Sequence, residues 1–350
     1  MRVAIVGAGG TIAPAIVRDL AESEEVGELL LVDLDRSRAQ AVADRHGGRV
    51  ADGIEGADVV VNSAGYRINL EVMRSCLDQG AHYIDLGGLY WMTGKQLELH
   101  AEFQRAGLLA LLGMGSSPGK TNVMAAHAAR VLGSETLDTV HVAAGGRDLD
   151  PPPGESFPYA LQTLIDELTM SPVVIRDGKP VEVEPMLPGG SVRFAQPIGS
   201  GETIHTIHSE MRTFPESFGC REASFRLSLA PALLERLREL SAADDSQRAA
   251  AARAATPPSS NTVSSHVVEA TAGGQTVRVT SFTRPHQAWG LGGGVVSTAA
   301  PAAAAVRLLA RGELSVRGAL PPERCVDPDA LFPELARRGN TIETETEVLA

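Results

Sequence analysis

Two short apolar runs, joined by a glycine turn and one helical pattern, constrain this chain more than anything else in it. Arg2 to Val6 reads as a buried strand, Gly7-Ala8-Gly9-Gly10 follows at once, and Ile12, Ala15, Ile16 and Leu20 then recur at helical spacing. Strand, glycine turn and helix in that order make a dinucleotide fingerprint. The first glycine permits the tight turn, and the second lets the backbone approach a diphosphate, which then sits on the amide-rich, positive end of the helix. Leu29-Leu30-Leu31-Val32 is the next buried strand and ends in Asp33. An acid roughly 20 residues beyond the glycines is where the ribose hydroxyls of NAD are held. Ile12 stands where the third glycine belongs, which implies a wider helix approach or a later helix start. Pro14 is tolerated, because first-turn amides have no intrahelical partner.

The same alternation continues to about residue 132. Strand-like runs at 28–33, 49–51, 58–62, 82–85 and 108–112 are separated by helical patterns such as 36–46, 69–79 and 94–106. This predicts an α/β fold, a Rossmann doubly wound parallel sheet. Ligands bind such sheets beyond the carboxyl ends of the strands. The cofactor candidates are therefore Gly7, Gly9, Gly10, Thr11, Ile12, Asp33, Asn62, Ser63 and Ala64, with Tyr66, residues 85–89 and residues 113–120 on the same edge. A cofactor-free Rossmann-like domain is the alternative.

Beyond residue 133 strand patterns dominate, at 136–143, 172–176, 203–212 and 222–229, and runs 267–272 and 275–282 flank a Gly273-Gly274 hairpin turn. A second α+β domain with a mixed or antiparallel sheet is expected. Residues 241–262 read as a helix end followed by a mobile loop, 298–309 as a helix, and 327–350 as one more helix and a short Thr/Glu-rich strand.

A chain of 350 residues, 43% apolar, holds about two domains. Its net charge of -12 argues against a nucleic-acid partner and offers no polybasic membrane patch. No stretch reads as a transmembrane helix, and a first strand at residue 2 leaves no room for a signal peptide, so a cytoplasmic location is expected. Cys76, Cys220 and Cys325 are far apart and odd in number, which suits free thiols and no metal site. Residues 113–121 imitate a P-loop. The Walker pattern needs a glycine at Met114, however, and Pro118 removes a backbone donor, so an NTPase is rejected.

Several blocks, in order along nearly the whole chain, resemble the saccharopine dehydrogenase-like family of amino-acid oxidoreductases. They are Val3-Ala4-Ile5-Val6-Gly7-Ala8-Gly9-Gly10, Val59-Val60-Val61-Asn62, Tyr83-Ile84-Asp85-Leu86-Gly87-Gly88, Ser117-Pro118-Gly119-Lys120-Thr121-Asn122, His208-Ser209-Glu210 with Arg212-Thr213-Phe214-Pro215, and Pro301-Ala302-Ala303 before Gly318-Ala319-Leu320-Pro321-Pro322-Glu323. Within the family the compact layout looks more like lysine 6-dehydrogenase than the longer saccharopine reductases. The resemblance implies a Rossmann domain over 1–122, completed by 290–350, and a domain over 123–289 that binds substrate and makes a homodimer. Ile12 departs from the family as well, since a glycine is usual there.

The chemistry so implied is hydride transfer between a C–N carbon and nicotinamide. An ammonium cannot push electrons toward a departing hydride, so such a site needs a proton acceptor, a carboxylate clamp and a dry pocket. His208 is the first candidate acceptor, with a structural histidine in a strand as the alternative. Asp85 either takes the amine proton or caps the turn through Gly87-Gly88. Tyr66 either lines the nicotinamide pocket or packs. Arg212 suits a bidentate carboxylate clamp or a solvated surface position, and Glu210, Asn122 and Arg147 are further substrate-contact candidates. Asp33 favours NAD over NADP, while Arg36 and Arg38 keep NADP open. Three functions follow: an NAD-dependent oxidoreductase acting on the C–N bond of an amino acid such as lysine, a saccharopine-type imine reductase joining an amino acid and an aldehyde, and a non-catalytic NAD-binding regulator.

Overall fold

The computed structural model describes residues 1–348, which form two compact units: residues 1–126 with 297–338, and residues 127–296 with the segment from Gly339 onward. In chain order the first part runs β1 (Arg2–Val6), α1 (Ala13–Ala21), β2 (Glu28–Val32), α2 (Arg36–His46), β3 (Arg49–Val50), β4 (Val59–Asn62), α3 (Asn69–Gln79), β5 (His82–Asp85), α4 (Leu89–Leu97), α5 (His100–Arg105), β6 (Leu109–Leu111) and α6 (Lys120–Val131). There follow β7 (Thr139–Asp148), α7 (Leu161–Thr169), β8 (Val173–Arg176), β9 (Lys179–Glu182), β10 (Pro188–Arg193), β11 (Ser200–His205), α8 (Glu210–Phe218), β12 (Glu222–Ser228), α9 (Pro231–Ala242), α10 (Asp245–Ala254), β13 (Thr262–Ala272) and β14 (Gln275–Thr283). The chain closes with α11 (Gly293–Ala310), β15 (Gly318–Leu320), α12 (Pro328–Ala336) and β16 (Asn340–Val348).

The first unit is built on a parallel sheet of order β15-β6-β5-β4-β1-β2-β3. Its central strands are apolar without alternation. Val3 to Ile5, Leu29 to Leu31 and Val59 to Val61 are all buried, as strands covered on both faces must be. The strand order reverses at β1, so the crevice beyond β1 and β4 is the topological switch point where such sheets take ligands. The C-terminal return is fastened by buried charges. Asp19 of α1 accepts from Arg307 of α11 (2.8 Å) and from Arg338 after α12 (2.7 Å), and Arg307 also donates to Glu334 of α12 (2.8 Å).

The second unit holds a mixed sheet of order β10-β11-β12-β7-β13-β14-β16, with β8 beside β12 and β9 beside β8. The β12–β7 pair is parallel and the other pairs are antiparallel. One of its cores joins Leu161, Leu164, Ile165 and Leu168 of α7 to Ile204, Leu237, Leu240 and Ala251. The β13–β14 hairpin turns on Gly273 and Gly274, both at positive φ, as expected.

Four expectations differ from the structure. The run 203–212 is not one strand: β11 ends at His205, residues 206–209 form a link, and α8 begins at Glu210, so His208 and Arg212 do not share a strand. Residues 241–262 hold a full helix, α10, whose Asp244 and Gln247 make a capping box. Residues 94–106 are parts of two helices, α4 and α5. Finally, β16 pairs with β14 in the second unit, where the sequence placed the whole tail with the Rossmann sheet; residues 349–350 lie outside the described residues. By length and apolarity alone α11 is long enough to cross a membrane, but 78% of its apolar window is buried in the fold.

Candidate functional site

The glycine turn after β1 is shaped by close backbone approach. Gly7 has φ +77, and a Cβ there would lie 2.8 Å from the amide nitrogen of Ala64, in the turn after β4. A Cβ on Gly9 would lie 2.6 Å from Cβ of Arg38 and 3.2 Å from Oδ2 of Asp33. A side chain at either position would collide with Ala64 or with Arg38, so the turn packs this closely only with glycine. Asp33, half-buried at the end of β2, accepts from the Gly9 amide (2.8 Å) through Oδ2 and from the Asp35 amide (2.8 Å) through Oδ1. Arg36 is paired with Asp52, which leaves Arg38 as the basic residue against the glycine turn. α1 starts at Ala13 with Ile12 in the cap position. The bulky residue therefore precedes the first turn, and the fully buried Ala13 and Ala15 supply the close helix packing. These residues could hold a dinucleotide: Gly7 to Gly10 would lie beneath the diphosphate, Asp33 would face the adenosine ribose, and Asn62, Ser63 and Ala64 would form the far wall. Ser63 is fixed there by donating to the Val6 carbonyl (3.0 Å).

Beyond β4 and β5 lies a buried polar network centred on Asp85. Its Oδ1 accepts from the amides of Gly113 (2.7 Å) and Gly87 (2.9 Å). Its Oδ2 accepts from Gln96 Nε2 (2.5 Å), the Tyr83 hydroxyl (2.9 Å) and Asn69 Nδ2 (3.1 Å). Asn62 donates to Asn69 (2.9 Å) and accepts from the Ala64 amide (3.2 Å), which ties the network to the cofactor crevice. Burial raises the Asp85 carboxyl above its ordinary value, against the pull of these donors. Leu89 follows at φ +52, a left-handed conformation that costs a residue with a Cβ about 1 kcal/mol or more.

The next turn along the same edge, residues 113–119, leads into α6. Its backbone is held by Asp85, whose carbonyl accepts from the Met114 amide (2.6 Å), and by Asn122, whose Oδ1 accepts from the Gly119 amide (2.8 Å). Asn122 Nδ2 donates to Glu323 (2.8 Å). The side chain of Lys120 is fully buried and donates to the Ser297 hydroxyl (2.7 Å).

In the second unit His208 sits in the link between β11 and α8, stacked on Phe225 of β12 with ring centroids 3.6 Å apart. Its Nδ1 pairs with Glu210 at the start of α8. With Nδ1–H facing that carboxylate, Nε2 carries the lone pair. Glu167 of α7 faces the same ring and accepts from the Tyr159 hydroxyl (2.5 Å). Burial disfavours the charged imidazole, but Glu210 and then Glu167 outweigh it and raise the His208 pKa. Burial pushes Glu167 up to about 7. The hydroxyls of Thr206 and Ser209, on either side of His208 in the link, are buried with no hydrogen-bond partner among the described residues.

Residues 3–111 match the family model described as the saccharopine dehydrogenase NADP binding domain. The match falls on the Rossmann part of the chain, which is similar to that domain. Over 268 residues the chain is 26% identical to a carboxyaminopropylagmatine dehydrogenase of Synechocystis sp., covering 69% of this chain and 65% of that protein, just under two thirds of its length. The apo saccharopine dehydrogenase (L-Glu forming) of Saccharomyces cerevisiae superposes with a TM-score of 0.70 at 15% identity, covering 99% of this chain and 100% of that one, so the two share a fold. These comparisons support the resemblance to saccharopine dehydrogenase-like proteins and a nicotinamide dinucleotide as cofactor, while none of them is a lysine 6-dehydrogenase.

Within this saccharopine-type frame the candidates from sequence fall into groups. Gly7, Gly9, Gly10, Asp33, Asn62, Ser63 and Ala64 gather at the switch point, with Thr11 exposed beside them. Tyr66 lies half-buried in a short helical turn after β4, with the Arg67 guanidinium 4.9 Å from its ring centroid. Asp85 and Asn122 have their polar atoms taken up in holding turns. His208 and Glu210 form one buried pair, and Arg212 follows in α8 with no ion pair found among the described residues. Arg147 is exposed on β7 and donates to the Pro197 carbonyl (3.2 Å). Sequence reasoning missed Lys120, Glu167 and Tyr159. The rarity of lysine could have pointed to the first, and an acid inside the apolar 161–168 pattern to the second. The three thiols are free. Burial pushes Cys76 up to about 12 and Cys220 up to about 11 and also raises Cys325, so all three are protonated at neutral pH.

Proposed function

We propose that this protein is an NAD(P)-dependent oxidoreductase acting on the C–N bond of an amino acid or amino-acid-derived amine. The observation that carries the reading is the glycine turn closed by Asp33, which fits a dinucleotide. The match to a saccharopine-type domain supports C–N chemistry rather than alcohol chemistry. When bound, the nicotinamide takes a hydride from the carbon that bears nitrogen.

In this reading His208 accepts the ammonium proton through Nε2, with Glu210 fixing its tautomer and offsetting the positive charge. The unpartnered hydroxyls of Thr206 and Ser209 on the same link support a polar ligand there. Arg212 serves as the carboxylate clamp. Asp85 is a positioning residue, since five donors occupy its two oxygens and leave no lone pair directed at a substrate. Asn122 likewise positions the 113–119 turn, and Tyr66 lines the crevice. Asp33 selects NAD over NADP, because a carboxylate accepts from ribose hydroxyls and repels a 2′-phosphate. For substrate we favour lysine or a similarly long, basic amine; the Synechocystis protein is named for an agmatine derivative, which supports a cationic chain ending in an amino acid. A homodimer in a reducing, cytoplasmic setting completes the reading, the setting supported by the three free thiols.

The test is NADH formation by the purified protein with L-lysine, L-ornithine and agmatine, using NAD and NADP in parallel. Turnover with any of these supports the reading. Silence in that direction, together with NADH consumption when an amine and a carboxylated aldehyde are mixed, supports the imine-reductase alternative. Silence in both directions with NAD still bound leaves the regulator.

A further inference from the structure

Three of the 31 lysines and arginines of this chain are lysines: Lys95, Lys120 and Lys179. Lys95 on α4 and Lys179 on β9 are exposed, as lysines ordinarily are. Lys120 is fully buried. The two cations differ in one respect that matters here. A guanidinium stays charged in any protein setting, whereas a desolvated lysine amine can release its proton. A chain that meets nearly every need for positive charge with arginine has a lysine at the head of α6.

Its place in the fold is specific. If Asp33 and Gly7 to Gly10 hold the adenosine and diphosphate over β2 and β1, the nicotinamide half would fall on the side of β4, β5 and β6. The turn after β6 is the one that delivers Lys120. This turn is locked: Asp85 holds Gly113 and Met114, Asn122 holds Gly119, and the Ser297 hydroxyl accepts from Nζ at 2.7 Å. Gly119 has φ +121, and a Cβ there would run into the backbone of Gly115, so the close turn admits only glycine. The glycine-rich run that fails as a phosphate cradle instead fixes the position of one amine. Desolvation by burial moves that amine from its ordinary range down to about 7, so both of its forms are populated at neutral pH.

We propose that Lys120 is the acid–base group for the hydrolytic half of the C–N reaction, a role that rests on the function proposed above. Once hydride has left the substrate carbon, an iminium remains. Neutral Lys120 takes one proton from an incoming water as the water oxygen bonds to that carbon, and the C=N π pair returns to nitrogen. The Lys120 ammonium then gives the same proton to that nitrogen. The C–N bond breaks with its electron pair leaving on the departing amine, and the carbinol O–H proton goes to solvent as the carbonyl forms. Lys120 ends as it began, and the oxidant throughout is the nicotinamide cofactor. In the synthetic direction the same group removes water when aldehyde and amine condense.

The test has two arms. In the cofactor-free full chain, labelled at the lysine ε-carbon and ζ-nitrogen, the three lysines give three resolvable NMR signals. One should titrate near neutrality and vanish in K120M. In the second arm, K120M with NAD and L-lysine should keep NAD affinity and a single-turnover NADH burst within about threefold of wild type. Its steady-state turnover should fall by roughly 100-fold or more, and K120R should not restore it. A Lys120 signal that does not titrate near neutrality, or K120M turning over like wild type, overturns the assignment while leaving the parent reading intact. Wild-type protein that forms no NADH from any amine overturns both.

Discussion

Asp85→Asn tests how the ligand edge of the Rossmann unit is held together. The substitution keeps one carbonyl oxygen for the Gly87 and Gly113 amides but turns an amide NH2 toward three donors, Tyr83, Asn69 and Gln96. The Tyr83 hydroxyl can rotate and accept. Asn69 cannot flip cheaply, because its carbonyl already accepts from Asn62 at 2.9 Å, and Gln96 is held through Asn69. Two bonds to a charged acceptor are therefore lost, at about 1.5–3 kcal/mol each. The neutral amide also escapes part of the burial penalty on the carboxylate, so the net loss is about 3 kcal/mol, a large share of a typical domain's stability. Urea unfolding measures the loss. Native-state exchange at the Gly87 and Gly113 amides should stay slow if Oδ1 is kept, while NAD affinity falls because Asn62 and Ala64 shift. A variant of unchanged stability and NAD affinity whose turnover collapses would refute the anchoring role and make Asp85 a reacting base.

Four further outcomes are expected. Asp33→Ala should weaken NAD binding by roughly tenfold and narrow the gap to NADP, as one or two ribose hydrogen bonds are lost; calorimetry with both cofactors checks it. Arg212→Lys should raise KM for a carboxylate substrate more than it lowers kcat, because a point charge replaces a fork. Asp19→Asn leaves Arg307 and Arg338 facing a neutral amide in the interior of the Rossmann unit and should cost about 3–5 kcal/mol in thermal or urea unfolding. For His208, whose pKa is raised above 6.5 by Glu210, the free base appears only above that raised value, so turnover should rise on the alkaline side of the ordinary histidine range, and His208→Gln should remove that limb. The stability contributed by this pair has the opposite sense: it is complete below about pH 6.5 and is lost as pH rises through the folded-state value.

Much of the Rossmann unit was legible because its strands are buried on both faces and carry unbroken apolar runs, while Gly7 and Gly9 sit where the close turn after β1 leaves no room for a Cβ. α2 and α3 begin and end where the pattern predicted. The second unit was less legible for physical reasons that particular residues show. Ile204 and Ile207 continue the look of a strand past His205, and Pro215 inside α8 argues against the helix that forms there, because proline removes a helical donor. That break separates His208 from Arg212 and creates the His208–Glu210 pair, which no strand register would have brought together. Asp85 was left between two roles by sequence because the deciding fact, five converging donors, comes from residues spread over 69–113. Lys120 was passed over inside a failed P-loop, since burial cannot be read from a glycine-rich turn.

The central claim is that hydride moves between a carbon bearing nitrogen and the cofactor cradled by Gly7 to Gly10. The most direct measurement uses lysine deuterated at the carbon bearing the side-chain amine, with the recovered reduced cofactor analysed by NMR and mass spectrometry. The account predicts one deuterium per turnover at C4 of the nicotinamide, on one face only, and none in Gly9→Val protein, which cannot seat the diphosphate. Reduced cofactor formed without deuterium, or label arriving equally well in the Gly9→Val protein, would contradict it.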